Sequence, residues 1–285
     1  TTGVSNSIFG AFALDAETTG ANNTALGYQS LSAQNGASYN TAVGYNSGLS
    51  LTTGGYNTAL GGLTLDAETT GAGNTAIGYA SLSAQNGASY NTALGYYSGS
   101  SLTTGGSNVA IGYASLDAET TGSSNTAVGY QSLSNQNGAL ANTAVGKWSG
   151  LNLTTGGGNV AIGYGSLDAE TTGSNNVAIG YESLSAQNGA TFNAAIGRGS
   201  GAALTTGSYN AILGSYALDA ETTGANNVAI GYAALTSQLG VTGSVAIRYN
   251  AGALITSGTG STAIGSYALD AETTGGGNTA IGYDS

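Results

Sequence analysis

The chain carries a five-residue alternation of polar and apolar positions that returns every 17 residues. In NTALG (residues 23–27), the second and fourth side chains point to one side of an extended strand, and the other three positions point to the opposite side. The last position of the pentad occurs 17 times without an insertion, from Gly10 to Gly282, and it is Gly everywhere except at Arg248. The pattern predicts a β-strand of about five residues in each repeat.

A strand this short cannot bury its apolar side chains alone, so each repeat must stack on the next. Stacking at about 4.8 Å would pair the strands and bury a continuous aliphatic column. Frequent Gly and the lack of a 3.6-residue stripe argue against helices, and the lack of Pro and of a Gly-X-Y period argues against collagen. The sequence therefore predicts an all-β fold, a parallel β-solenoid (β-roll) of about seventeen 17-residue coils.

Three kinds of coil alternate strictly, which gives a superperiod of 51 residues. The first kind contains LDAETTG, starting at residue 14. The second contains LSAQNG or a close variant, starting at residue 31, and the third contains LTTG or ITSG, starting at residue 51. We refer to them as the LDAETTG, LSAQNG and LTTG coils.

Charge is scarce and concentrated in the LDAETTG coils. The chain has 14 acids, three bases and a net charge of −11. Acids in every coil would form a ladder of repelling charges, whereas every third coil places them about 14 Å apart, beyond the screening length. We therefore interpret the acids as a solubility device; calcium binding is the alternative, although one Asp-Ala-Glu unit supplies few of the ligands that calcium needs. The acidic balance disfavours nucleic acids and anionic membranes as partners.

The composition also narrows the chemistry. His and Cys are absent, and every Asp-Ala-Glu unit is one of six equals, so no single catalytic cleft, metal site or cofactor site is expected. The apolar runs are too short for direct membrane insertion. We treat residues 1–285 as a single uncapped β-solenoid repeat domain and as a segment of a longer chain.

An Asn begins 15 of the 17 pentads. Stacked amides can form hydrogen bonds along the axis, so we interpret this column as structural. The predicted structural Asn ladder comprises Asn23, Asn40, Asn57, Asn74, Asn91, Asn108, Asn125, Asn142, Asn159 and Asn176.

A Tyr follows the pentad in 11 of the 17 copies. The rings either stack on one another to cover the turns or form a platform for sugar rings. The candidate ligand-contact ladder comprises Tyr28, Tyr45, Tyr79, Tyr96, Tyr113, Tyr130, Lys147, Trp148, Tyr164, Tyr181 and Tyr232. All three basic residues lie in LTTG coils, and for Arg248 we expect either a local widening or an ion pair between chains.

The pentads Asn108–Gly112 (NVAIG), Asn176–Gly180 (NVAIG) and Ser244–Ile247 (SVAI) resemble the head domains of trimeric autotransporter adhesins and similar repeats of phage tail fibres. The resemblance spans the whole chain through one short motif. It implies a left-handed parallel β-roll, three chains around a common axis, and display outside a cell or virion. It further implies that the Ala column (Ala25, Ala42 and onward) faces neighbouring chains, while the Thr/Val and Ile/Leu/Val columns fill each roll.

The resulting functional hypothesis is a non-enzymatic extracellular fibre segment, on a cell surface or virion, that provides rigid reach and repetitive display. Its expected partners are copies of itself, as a homotrimer or filament, and host or matrix surface glycans or proteins. A self-assembling structural filament and a repetitive carbohydrate-binding module are the alternatives.

Overall fold

The computed structural model describes residues 2–285, which contain 17 β-strands of three residues each and no helix. The chain divides into two compact units, one ending at Ala141 and the other spanning Asn142–Ser285. The strands of the first unit are β1 Ser7–Phe9, β2 Thr24–Leu26, β3 Thr41–Val43, β4 Thr58–Leu60, β5 Thr75–Ile77, β6 Thr92–Leu94, β7 Val109–Ile111 and β8 Thr126–Val128. The strands of the second unit are β9 Thr143–Val145, β10 Val160–Ile162, β11 Val177–Ile179, β12 Ala194–Ile196, β13 Ala211–Leu213, β14 Val228–Ile230, β15 Val245–Ile247, β16 Thr262–Ile264 and β17 Thr279–Ile281. That residues 1–285 form one uncapped domain stays a prediction.

Within each unit, consecutive strands pair in parallel with a register shift of one repeat. In the first unit Ala25 pairs with Ala42, and in the second Ala161 pairs with Ala178. Equivalent residues of successive coils therefore lie next to each other along the stack. The predicted all-β parallel solenoid with 17-residue coils is confirmed.

Each strand is shorter than the five residues predicted, because its flanking residues leave the extended conformation or bond elsewhere. Gly27, which follows β2, has a φ of 135°, and a β-carbon there would overlap the carbonyl oxygen of Gly44 in the next coil. Gly meets both conditions without strain, which explains why it occupies this position in 16 of the 17 repeats. On the other side of the strand, the backbone N–H of Asn40 donates to the side-chain oxygen of Asn23 instead of to a strand carbonyl.

The small side of the pentad faces the interior of the coil. Ala25 is fully buried, whereas Leu26 is 43% exposed. We expected the second and fourth pentad residues to fill the interior and the Ala column to face other chains. Both expectations are wrong, because the Ala side chains fill the interior and the fourth residues lie on the surface. The interior is narrow: a β-carbon on Gly48 would lie 2.8 Å from Leu31 Cδ2 and 3.9 Å from Ala42 Cβ. Because Leu side chains already fill the space opposite the strand, most coils have room only for a methyl group there, and Ile212 is the one larger side chain buried at this position among the described strands.

The opposite wall of each coil contributes one large aliphatic side chain from one of two positions. In LDAETTG and LSAQNG coils it is the Leu that opens the motif, such as Leu14 and Leu31, which are both buried at positive φ. In LTTG coils this position is Gly48 or its equivalent, and the buried Leu51 lies three residues later. The missing side chain at one position is thus replaced by the Leu at the other, which preserves the packing.

The position of Leu51 explains the 51-residue superperiod. In successive coils it is occupied by Glu68, Gln85 and Leu102, and all three are fully buried. A charged, an amide and an aliphatic side chain therefore follow one another inside the solenoid, and the triplet then repeats.

The Glu carboxylate in this triplet is surrounded by hydrogen-bond donors. Oε1 of Glu68 accepts hydrogen bonds from the backbone N–H groups of Thr69–Gly71 and of Gly87 in the next coil, at 2.6–2.9 Å. Its Oε2 accepts a hydrogen bond from Nε2 of Gln85 at 2.9 Å. We call this arrangement the carboxylate clamp. A buried charge is tolerated here because both oxygens are bonded.

The clamp overturns the interpretation of the acids as a solubility device. The Glu side chains of the four inner LDAETTG coils, Glu68, Glu119, Glu170 and Glu221, are fully buried. In these four coils only the Asp of the motif's two acids remains partly in solvent, and burial raises the pKa values of Asp66, Asp117 and Asp168. The acids recur every third coil because the interior triplet does so.

Candidate interaction surface

The outer side of the strands forms an aliphatic face within each unit. The fourth pentad residue is exposed or partly exposed in every strand, and the second, mostly Thr or Val, lies beside it. Neither position carries a charged residue. The column of fourth residues comprises Phe9, Leu26, Val43, Leu60, Ile77, Leu94, Ile111 and Val128 in the first unit, and Val145, Ile162, Ile179, Ile196, Leu213, Ile230, Ile247, Ile264 and Ile281 in the second.

The ten residues of the predicted Asn ladder lie inside the coils, each 2% exposed or less. The side-chain oxygen of Asn23 accepts from the backbone N–H of Asn40, and that of Asn40 accepts from Asn57 in the same way, at 2.8–2.9 Å. Each Nδ2 donates to a carbonyl near the end of its own coil, as Asn23 does to Ala37 at 3.0 Å. These amides connect coils along the axis and offer no surface to a ligand.

The Tyr side chains of the candidate contact ladder are exposed and stack where they occupy neighbouring coils. In the first unit, Tyr79, Tyr96, Tyr113 and Tyr130 form a continuous stack with ring centroids 5.1–5.7 Å apart and nearly parallel planes. In the second unit, Tyr164 and Tyr181 stack at 5.2 Å. Gly62 interrupts the column between Tyr45 and Tyr79. Stacking covers the ring faces, so what such a stack presents to solvent is mainly ring edges and hydroxyl groups.

A second aromatic row precedes the Asn column and was not among the predicted site residues. Tyr39 and Tyr56 stack at 4.9 Å, and Phe192 and Tyr209 stack at 5.3 Å. The signal in the sequence is an aromatic residue directly before the pentad in these coils. The row was missed because it occupies few repeats.

Trp148 lies beside the Tyr column rather than in it, one residue after Lys147. Its ring contacts that of Tyr164 at a centroid distance of 5.5 Å. The Lys147 ammonium lies 4.0 Å from the Trp148 ring centroid and 5.8 Å from that of Tyr164. These are cation–π distances, so the structure brings the three residues into one cluster.

Arg198 lies at the other end of the same short stack. Its guanidinium carbon is 5.5 Å from the Tyr181 ring centroid and 5.6 Å from that of Tyr216. Glu182 follows Tyr181, and the hydrogen bond that the Tyr181 hydroxyl donates to this carboxylate raises the pKa of Tyr181. The Tyr164–Tyr181 pair is therefore bracketed by a cation at each end.

Arg248 occupies the position that is Gly in all other repeats. Its φ is 105°, and its backbone N–H still donates to the carbonyl of Ile230, at 2.6 Å. The next strand pair, β15–β16, keeps its register. The ladder therefore continues past Arg248 without a break, and the ion pair between chains stays a prediction.

No group of three or more Asp or Glu side chains within residues 2–285 is arranged to hold a metal ion. The same residues include no helix with the length and apolar character that a membrane span requires. The chain matches no known protein family and no curated protein sequence. The structure shows a parallel β-solenoid. The likeness of the pentads to trimeric autotransporter adhesin heads stays a resemblance.

Proposed function

We propose that the chain is a non-enzymatic structural segment of an extracellular fibre, on a cell surface or a virion, in which copies pack side by side through the aliphatic face. The supporting observation is a charge-free column of exposed and partly exposed aliphatic side chains in each unit. Removing such a surface from water stabilises association. The pentads' resemblance to trimeric adhesin heads favours three chains.

A second copy of this chain is the occupant that the geometry favours. The aliphatic side chains recur once per coil, so a partner needs the same spacing to contact every one of them. Another copy has that spacing by construction. The flanking aromatic rows would then lie at the rim of the interface, where aromatic side chains are common. In this arrangement the fibre displays the same rim groups repeatedly, which raises avidity for a host or matrix surface.

The test is a mass determination of the full chain by light scattering over a range of concentrations. We expect a discrete trimer, and we expect Ile179→Glu, which introduces a charge on the aliphatic face, to shift it to monomer. Leu239→Glu is the matched control, because Leu239 is 57% exposed and lies outside the strands that form that face. A wild-type monomer would refute the assembly, and open-ended polymers would favour the filament alternative.

A further inference from the structure

The three basic residues of the chain form a pattern that the fold itself does not require. Lys147, Arg198 and Arg248 all lie in the second unit, in successive LTTG coils, separated by 51 and 50 residues. Because stacked strands are about 4.8 Å apart, cations in every third coil are about 14 Å apart along that unit. In the first unit, Tyr45 and Tyr96 occupy the positions of Lys147 and Arg198 in the LTTG coils.

The first two cations stand on one column. Lys147, Tyr164, Tyr181 and Arg198 follow one another in four consecutive coils, with each cation within 6 Å of the adjacent ring centroid. Both cations are exposed. This part of the column therefore presents the Tyr164 and Tyr181 hydroxyl groups, with a positive side chain on either side of the pair.

Arg248 is present although its backbone position favours Gly. A non-Gly residue at φ 105° is strained, and such strain commonly marks a functional position. The side chain is exposed, and its guanidinium has no ion-pair or hydrogen-bond partner among residues 2–285. It borders a cleft of about 280 Å³ that also contains Ser266 and Tyr283, which belong to the Tyr column. Tyr249 continues the Tyr column in the coil of Arg248, and Arg248 shares this cleft with Ser266, where the rings of the column are interrupted.

The acids of the second unit only partly oppose these charges. Glu170 and Glu221 are buried in carboxylate clamps, with their oxygens turned to backbone N–H groups. Glu182 and Asp284 are exposed acids next to the column, and the hydrogen bond to Glu182 raises the pKa of Tyr181. Asp168 lies near it, and Glu182 contributes to raising the pKa of Asp168, after burial.

We propose that Lys147, Arg198 and Arg248 form a cation row that binds a linear acidic polysaccharide lengthwise along the second unit. Widely spaced cations fit a chain whose carboxylate or sulfate groups are also spaced, and the Tyr hydroxyls and ring edges between them suit sugar hydroxyls. A nucleic acid is disfavoured, because its phosphates are densely spaced and the chain carries a net charge of −11. The inference does not depend on the proposed assembly.

The experiment measures binding of the full chain to immobilised heparin and polygalacturonate by surface plasmon resonance, with dextran and double-stranded DNA as comparison surfaces. The variant Lys147→Tyr/Arg198→Tyr/Arg248→Gly restores the residues that the other repeats carry, so its coils are expected to fold at least as well as wild type. Loss of three exposed charge contacts should weaken polysaccharide binding about tenfold, and added salt should weaken wild-type binding. The Glu182→Gln variant should bind more tightly.

The matched control is Tyr45→Ala/Tyr96→Ala in the first unit, which alters the Tyr column but not the cation row and should leave binding unchanged. Equal binding by the triple variant and wild type would overturn the proposal. So would loss of binding in the control, tighter binding to DNA, or no wild-type binding to either acidic polysaccharide at low salt. Light scattering on the triple variant reports assembly separately, so failure of one proposal is distinguishable from failure of the other.

Discussion

Oε1 of Glu68 accepts a hydrogen bond from the backbone N–H of Gly87, in the next coil, at 2.7 Å. The contact belongs to a clamp in which one carboxylate also accepts three N–H groups of its own coil. Equivalent contacts between coils join Glu17 to Gly36, Glu119 to Gly138, Glu170 to Gly189 and Glu221 to Gly240. The buried acid thus connects one LDAETTG coil to the LSAQNG coil that follows it.

Removing the clamp should destabilise the first unit strongly. Glu68→Ala leaves the N–H groups of Thr69–Gly71 and Gly87 and the amide of Gln85 without their acceptor, at a cost of roughly 3 kcal/mol or more. Denaturant unfolding, together with hydrogen exchange at Gly87, measures the loss. Glu68→Gln keeps one acceptor oxygen and the size of the side chain, so it should cost less. An unfolding midpoint for Glu68→Ala equal to that of wild type would contradict the prediction.

The clamp should also protect the Asn-Gly sequences from deamidation. Deamidation begins when the Gly nitrogen attacks the Asn side-chain carbonyl carbon, which forms a cyclic imide and releases ammonia. At Asn86, the N–H of Gly87 is directed to Glu68, and the Asn86 side-chain oxygen accepts a hydrogen bond from the hydroxyl of Thr69 at 2.6 Å. The Gly87 nitrogen and the Asn86 side chain are therefore both held in hydrogen bonds to other groups. We expect slow deamidation of Asn86 in the folded chain and faster deamidation in Glu68→Ala.

Peptide mapping by mass spectrometry after mildly alkaline incubation tests this protection. The matched control is Glu221→Ala, because the Gly240 that Glu221 binds follows Leu239, which cannot deamidate. That variant should leave Asn86 intact. Conversion of Asn86 in the folded wild type as fast as in urea would refute the protection.

Acid should loosen the first clamp. Burial tends to raise the pKa of Glu17, but hydrogen bonds from the N–H groups of Gly20, Gly36 and Thr19 and from the Gln34 side chain bring it below its ordinary value of 4.5. An acid with a lowered pKa stabilises the fold above the pKa of the unfolded chain, and the effect is lost as pH falls through the folded value. The protection factor of the Gly36 amide, which is its exchange rate compared with that of an unfolded peptide at the same pH, should therefore fall as pH drops below about 4.5 in wild type. The same pH dependence in Glu17→Gln would contradict this assignment.

The two faces of a strand should respond oppositely to substitution. Ala178 is fully buried, so Ala178→Leu must displace the neighbouring Leu side chains and should cost about 1–3 kcal/mol in unfolding free energy. Ile179 lies on the aliphatic face, and Ile179→Ala should change the folding of an isolated chain much less. Thermal unfolding of both variants, compared at a concentration where the chain is monomeric, gives the answer. A larger loss for Ile179→Ala would indicate that the faces are assigned the wrong way round.

Replacing the strained cation should stabilise the second unit. Arg248→Gly removes a side chain from a backbone position at φ 105° that Gly adopts freely, and strain of this kind costs about 1–3 kcal/mol. The greater freedom of Gly in the unfolded chain offsets roughly 1 kcal/mol of that gain. Thermal unfolding should show a small increase in midpoint. A decrease would mean that the Arg side chain makes stabilising contacts that outweigh the strain.

Much of the architecture is predictable from the sequence because the repeat is so regular. The pentad in residues 23–27 indicates a strand, and its return after 17 residues indicates the coil length and the parallel stacking that the register confirms. The Tyr repeat likewise locates an exposed column, but it does not reveal the cluster of Lys147, Trp148 and Tyr164, which depends on distances across coils.

The sequence by itself therefore determined the 17-residue length of each coil, the order of the coil types and the two faces of each strand. Only the tertiary structure decided which face is interior, because an alternation of Ala25 with Leu26 defines two sides without stating how much room lies behind each. The opposite wall, with Leu31 and its equivalents, leaves space for a methyl group in most coils, so the larger side chains of the strand point outward. The tertiary structure also decided that Glu68 is buried. A carboxylate is buried only where hydrogen-bond donors converge, and some of those donors come from the next coil.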